Sequence, residues 1–271
     1  YRFTGDVDYL REKIYPMMKE QAKFWQSFLI WSEEQQRMVV SPSISPEQGP
    51  TAQGTTYDQS LVWQLLKETI EAAEILGVDE DLRAEWKELQ DQLDPIIIGE
   101  AGQIKEWYEE TIPGKAKAPG LPEIDIPNWQ AGFDGPHRHA SHLIGLFPGN
   151  LINKDRPEYM EAAKISLLER GFQATGWAKA HKINMWARTM DSSNTYRLIQ
   201  SMIKGGNAGI LPNLLNSHGG GASNLEYPIF QIEGNFGLTS GMTEVLLQSH
   251  LDYIQLLPTL PYEWKDGSFE G

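Results

Sequence analysis

Cysteine is absent from all 271 residues, which excludes disulfides, thiolate nucleophiles and cysteine-ligated metals. The compartment is not fixed by that absence. A basic cluster is missing too: 23 Lys and Arg stand against 37 Asp and Glu, for a net charge of −14. Nothing in such a chain neutralises phosphates, so a nucleic-acid partner is excluded. An anionic membrane surface is equally unsuited, and a neutral substrate is the natural expectation. There is no run of about eighteen apolar residues and no basic start leading into an apolar core, so neither a membrane span nor a signal peptide is expected. No short repeat marks a solenoid. Several chemical signatures are lacking as well. GxSxG does not occur, and GGGAS (219–223) has no phosphate-loop lysine.

What is present is a globular composition, 40% hydrophobic with nine Trp, ten Tyr and nine Phe. The length suits one large domain or two small ones with a sizeable core. Asp6 can cap a first helix running to Trp31, with Leu10, Ile14, Met17, Phe24, Trp25 and Phe28 at helical spacing. Pro16 predicts a kink or a split in it. Val39 to Gly54 is turn-rich loop. Helices are expected over 58–76, with Gly77 at its end, and over 80–93, before Pro95. Thr111 to Pro136 reads as a Pro/Gly-rich loop over one end of the domain. Further helices fall at 157–170, 176–190, 193–204 and 237–248. Strand is expected only near IQLLPTLP (254–261). The pattern is all-α: antiparallel helical hairpins with long loops gathered at one end, as in an α/α toroid.

The loops hold the chemistry. FDGPHRHASHLIGLFPG (133–149) carries His137, His139 and His142, half of the six histidines in the chain, beside Arg138. Such a loop on a helical scaffold is a place for binding or catalysis. The same histidines also read as partners for buried backbone groups. With Asp134 they contain the atoms of a metal site, but the spacing is not that of HExxH, and no metal or cofactor is expected. Glu47 stands in SPSISPEQG (41–49), clamped by prolines and a glycine as a general acid requires, or else is a solvated loop glutamate. Glu233 stands among Phe230, Ile232 and Phe236 before a Gly-Asn-Phe-Gly helix entry. Apolar surroundings would raise its pKa, while the helix entry would make it a capping acid. Two carboxylates on separate loops, with tryptophan to stack on sugar rings, suggest glycoside hydrolysis. Trp107, Trp129, Trp177 and Trp186 lie in or beside the loop-rich stretches; tryptophan on amphipathic helices more often belongs to a core, which leaves Trp129 as the expected exposed platform.

In order, SPSISPEQG, GQIKEWYEE (102–110), HRHASHLIGLFPG (137–149), TGWAKAHKINMWAR (175–188) and FQIEGNFG (230–237) resemble glycoside hydrolase family 95. The resemblance runs from Thr4 to Trp264. It implies an (α/α)6 barrel, preceded by a large β-sandwich and followed by a smaller β domain. The activity implied is inverting hydrolysis of terminal α-1,2-linked L-fucose on oligosaccharides or glycans. An α-L-galactosidase of the same fold is the alternative, and a non-catalytic carbohydrate-binding fragment is another. Glu47 matches the family's general acid, and Arg138 and His139 match its sugar-binding pair. Glu233 matches the acidic residue that polarises a water-activating asparagine, with glutamate here where aspartate is familiar. The family's Asn-x-Asn segment has no counterpart in these residues, and the asparagines of Leu211 to Gly220 fall in the wrong place. Residues 1–271 are therefore expected to be the later part of the barrel, without the first hairpins or the flanking β domains. The missing N-terminal part of the same catalytic domain becomes an expected partner, and the chain alone is expected to turn over poorly.

Overall fold

The computed structural model describes residues 1–47, 49–109, 137–172, 174–204 and 230–270, together with the backbone of 115–116 and 124–125. Helices dominate them, and the fold is all-α. Asp6 caps α1 (Val7–Tyr9), its Oδ1 accepting the Tyr9 N–H at 2.8 Å. A π-helical turn (Leu10–Ile14) leads into α2 (Tyr15–Phe28), with Pro16 in the first turn of α2. The widened turn absorbs the missing proline N–H, so the expected split takes the form of a change in helical winding. The helix also ends earlier than its periodicity suggests. Ile30–Ser32 forms β1, which pairs antiparallel with β2 (Arg37–Val39) as a hairpin. β-branched and aromatic residues beside a turn favour strand there over a last helical turn. The outer face of α2 leaves Phe24 and Phe28 exposed, with their rings stacked 5.3 Å apart.

α3 (Thr56–Leu76) and α4 (Glu80–Leu93) form a helical hairpin. Gly77 closes α3 in the left-handed region at φ 66°, a conformation that favours glycine. With α2 they bury Ala22, Val62, Leu66, Trp86, Leu89 and Leu93. Each large apolar side chain buried in this way contributes about 1.5–3 kcal/mol before chain entropy is counted. A two-stranded ribbon, β3 (Lys115–Ala116) with β4 (Ile124–Asp125), lies in the stretch expected to be loop, most of which is outside the described residues.

The larger core joins the segment 140–152 to α5 (Pro157–Arg170), α6 (Gly176–Arg188), α7 (Ser192–Ile203) and α8 (Ile232–Leu246). α6 is buried nearly all round and packs most closely on α8. α8 begins five residues earlier than expected, because its glycines are contact points here and not breakers. A Cβ on Gly237 would stand 2.9 Å from Ala180 Cβ, and one on Gly241 would stand 2.5 Å from Ile183 Cγ2. Asn184 seals the crossing by donating to Gly237 O at 2.8 Å while its Oδ1 accepts from Ser240 at 2.8 Å. Arg188 pairs with Glu244 and donates to Gly149 O at 3.3 Å, tying both helices to the Phe-Pro-Gly turn. β5 (Leu247–Gln248) pairs with β6 (Gln255–Leu256) in the region where strand was expected. No helix among the described residues is long and apolar enough to cross a membrane.

Candidate active site

The loop carrying Glu47 is anchored before it reaches the carboxylate. Gln59, fully buried in α3, accepts the Val40 N–H at 2.9 Å and donates to Met38 O and Leu93 O, each at 2.9 Å. Ser43 Oγ lies 2.7 Å from Thr55 Oγ1 and donates to Asp58 Oδ2 at 2.7 Å. Glu47 itself is held from both sides by the neighbouring segment. Ser45 Oγ donates to the buried Glu106. Gly49, at φ +77°, lies flat against the indole of Trp107. Between these fixed points the Glu47 side chain is 64% exposed, presented outward from a braced turn.

Gly49→Ala therefore has a clear expected outcome. Its Cβ would fall 2.3 Å from Trp107 Cζ2 on a backbone that L side chains rarely adopt. The turn must shift, with a stability loss of about 1–3 kcal/mol. A thermal melt showing wild-type stability would mean that the turn is not braced on Trp107.

The segment that begins at His137 completes the cluster. Arg138 donates from Nη2 to Glu47 Oε2, and His139 Nε2 approaches the same oxygen at 3.6 Å. The His139 ring meets the edge of Trp177 at 5.0 Å and stacks on His137 at 5.2 Å. Glu47, Arg138 and His139, up to 92 positions apart in sequence, thus converge on one carboxylate oxygen. Burial, followed by the Arg138 charge, lowers the His139 pKa, so the imidazole is neutral near pH 7 and its approach to Glu47 is polar contact, not an ion pair. His142 is buried beside Glu106, its Nδ1 3.8 Å from Oε2. Burial and the Arg170 charge hold it well below the ordinary histidine range. Among the described residues no three His, Asp or Glu side chains gather as a metal site.

His137 gives this cluster an acid limit. Burial, reinforced by Arg170, lowers its pKa from 6.5 to about 4, and its Nδ1 accepts the His139 N–H at 3.1 Å. That bond requires the unprotonated nitrogen. Between pH 6.5 and about 4 the unfolded chain takes up a proton that the folded chain refuses. Stability should be fully present above 6.5 and decline as pH falls towards 4. His250, also lowered to about 4 by burial, contributes in the same window. Thermal melts of wild type and His137→Asn across this range isolate the first term. The variant should lose less stability on acidification, and parallel curves would contradict the assignment.

Of the two sequence readings of Glu233, its place in the structure agrees with the one at a helix entry. It occupies the first turn of α8 and is exposed, as are Phe230, Ile232 and Phe236. Because the helix starts at Ile232, these residues point away from the face formed by Gly234, Leu238, Gly241 and Val245, which is buried. The apolar neighbours therefore do not enclose the carboxylate, and its charge faces the helix N-terminus. Its link to the cluster runs through Gln231, whose Oε1 accepts the Trp177 N–H at 2.9 Å. Trp177 is half-buried beside His139, whereas Trp107 and Trp186 are core residues. Trp129, Asp134 and Leu211 to Gly220 lie outside the described residues.

Beneath the cluster lies a set of charges that sequence reasoning passed over. Glu106 and Arg170, each 1% exposed, form an ion pair. Glu106 also accepts from Ser141 Oγ at 3.0 Å, and Arg170 Nε donates to His139 O at 3.0 Å. Lys182, fully buried in α6, donates to the carbonyls of His137 (3.1 Å), Arg170 (2.9 Å) and Gly171 (3.0 Å). Burial and the nearby Arg170 lower its pKa to about 7. A basic residue at a helix C-terminus, such as Arg170, ordinarily reads as a partner of the helix dipole, and a mid-helix lysine such as Lys182 as part of a solvated face. Nothing in the spacing of Arg170 or Lys182 distinguishes that from burial.

A model of the glycosyl hydrolase family 95 catalytic domain matches residues 1–246. Alpha-L-fucosidase 2 of Arabidopsis thaliana is 31% identical over 291 aligned positions, covering 100% of this chain and 31% of that protein. A probable alpha-fucosidase A of Aspergillus niger is 29% identical, over 100% of this chain and 34% of its own length. That of Aspergillus oryzae is 29% identical over 86% of this chain and 32% of its own length. The chain thus spans about a third of the length of these curated relatives.

Proposed function

This chain belongs to glycosyl hydrolase family 95, and from that premise we propose that it is the later part of an (α/α)6 catalytic domain that hydrolyses terminal α-L-fucosides. The linkage is α-1,2 on an oligosaccharide or glycan, and the anomeric centre inverts. The observation that carries this reading is the convergence of Glu47, Arg138 and His139. Glu47, outward on its braced turn, protonates the leaving glycosidic oxygen. Arg138 offers a rigid fork of donors to the sugar hydroxyls, and the neutral His139 either donates or accepts. The half-buried Trp177 gives the sugar an apolar wall beside His139, and Trp129 adds a platform.

Inversion requires a water on the face of the sugar opposite the acid, with about 6.5–9.5 Å between the acid and the base side. Glu233 supports the base by polarising an asparagine supplied by the upstream part of the same catalytic domain. Its place at the start of α8, joined through Gln231 to Trp177, is compatible with that role. The first hairpins and the flanking β domains complete the protein, in keeping with relatives about three times as long.

The natural full-length polypeptide incubated with 2′-fucosyllactose should release free L-fucose. Binding of the glycan without release, or release only from an α-L-galactoside, would contradict the proposal.

A further inference from the structure

Glu47 and the sugar-binding pair belong to different parts of the chain, yet both hang from one buried carboxylate. Ser45, two residues before Glu47, donates to Glu106, and its Oγ lies 2.6 Å from Ser141 Oγ. Ser141, two residues after His139, donates to the same Glu106 oxygen at 3.0 Å. The second Glu106 oxygen pairs with Arg170, whose Nε donates to His139 O. Lys182 then fixes the carbonyls of Arg170 and His137. The acid turn and the His137–Ser141 segment are therefore set relative to each other by Glu106.

We infer that Glu106 is a positioning residue, holding the Glu47 turn and the Arg138–His139 segment in register through Ser45, Ser141 and Arg170. It does not touch the sugar; it acts by fixing where Glu47 and His139 stand. A neutral amide at 106 cannot balance the buried Arg170 charge, and a shifted turn moves the acid off the glycosidic oxygen. Misplacements of about 1 Å are enough to lower turnover by about 10²-fold. This inference rests on the fucosidase reading above.

The test uses the natural full-length polypeptide with Glu106→Gln and, because that variant disturbs a buried ion pair, with the milder Ser45→Ala. Turnover is measured on 2′-fucosyllactose, whose leaving group needs the acid, and on 4-nitrophenyl α-L-fucoside, whose phenolate does not. Thermal melting of each variant is recorded alongside. Glu106→Gln should lose about 10²-fold in kcat on 2′-fucosyllactose. Ser45→Ala should lose roughly tenfold there, with the aryl substrate changed by no more than about twofold. A merely structural role predicts equal losses on both substrates, tracking the fall in melting temperature. Equal losses, or unchanged turnover in Ser45→Ala, overturn the inference alone. A wild type inactive on both substrates overturns the fucosidase reading, and the inference with it.

Discussion

Glu47→Gln in the natural full-length polypeptide should lower turnover of 2′-fucosyllactose by about 10²–10⁴-fold, the usual contribution of general acid catalysis. The substitution keeps the side-chain shape and its place on the turn between Ser45 and Gly49, and removes only the proton. An amide oxygen still accepts from Arg138, so binding should change less than kcat. The loss should shrink with a 4-nitrophenyl leaving group, because phenolate departs without protonation. A glutamate that served only to hold Arg138 would give equal losses on both substrates. The leaving-group dependence therefore separates an acid from a bracket.

Arg138→Ala has the second largest expected effect. Arg138 is 21% exposed and reaches the carboxylate of Glu47. As the proposed cationic fork of the sugar subsite it would make charge-assisted hydrogen bonds, each worth about 1.5–3 kcal/mol. Loss of one or two of them corresponds to a fall in kcat/KM of at least about tenfold. Inhibition by free L-fucose should weaken by a similar factor, since the contact is made to the sugar and not to the leaving group. Unchanged inhibition by L-fucose together with unchanged kcat/KM would remove Arg138 from the subsite.

The helices were legible in the sequence because amphipathic spacing and punctuation agreed. Gly77 and Pro95 bounded α3 and α4, and the expected range 157–170 coincides with α5. Misjudged ends have local causes. Ile30 and Trp31 fit a helical stripe but pair as strand across the hairpin. Gly234 and Gly237 read as a helix entry, yet both lie within α8, where Gly237 packs closely on Ala180 of α6. A one-dimensional pattern holds no record of what a glycine touches.

The site was legible in part for a similar reason. Glu47, Arg138 and His139 were picked out from motifs resembling a known family, and their residue types suit their contacts. Glu106 sat inside a quoted motif, GQIKEWYEE, without being singled out. A buried carboxylate and a surface carboxylate look alike until Arg170, 64 positions later, is seen beside it. Lys182 was hidden among Lys179 and His181 on a helix that reads as amphipathic and is in fact buried on nearly every side. Glu233 carried two readings in the sequence, and its apolar neighbours face outward with it, which leaves the one at the helix entry.

Inverting hydrolysis with Glu47 as the acid makes one prediction that no binding role can imitate. Proton NMR of the sugar first released from 2′-fucosyllactose by the natural full-length polypeptide, read before mutarotation, should show β-L-fucose. α-L-Fucose appearing first would mean retention through a covalent intermediate and would contradict the account.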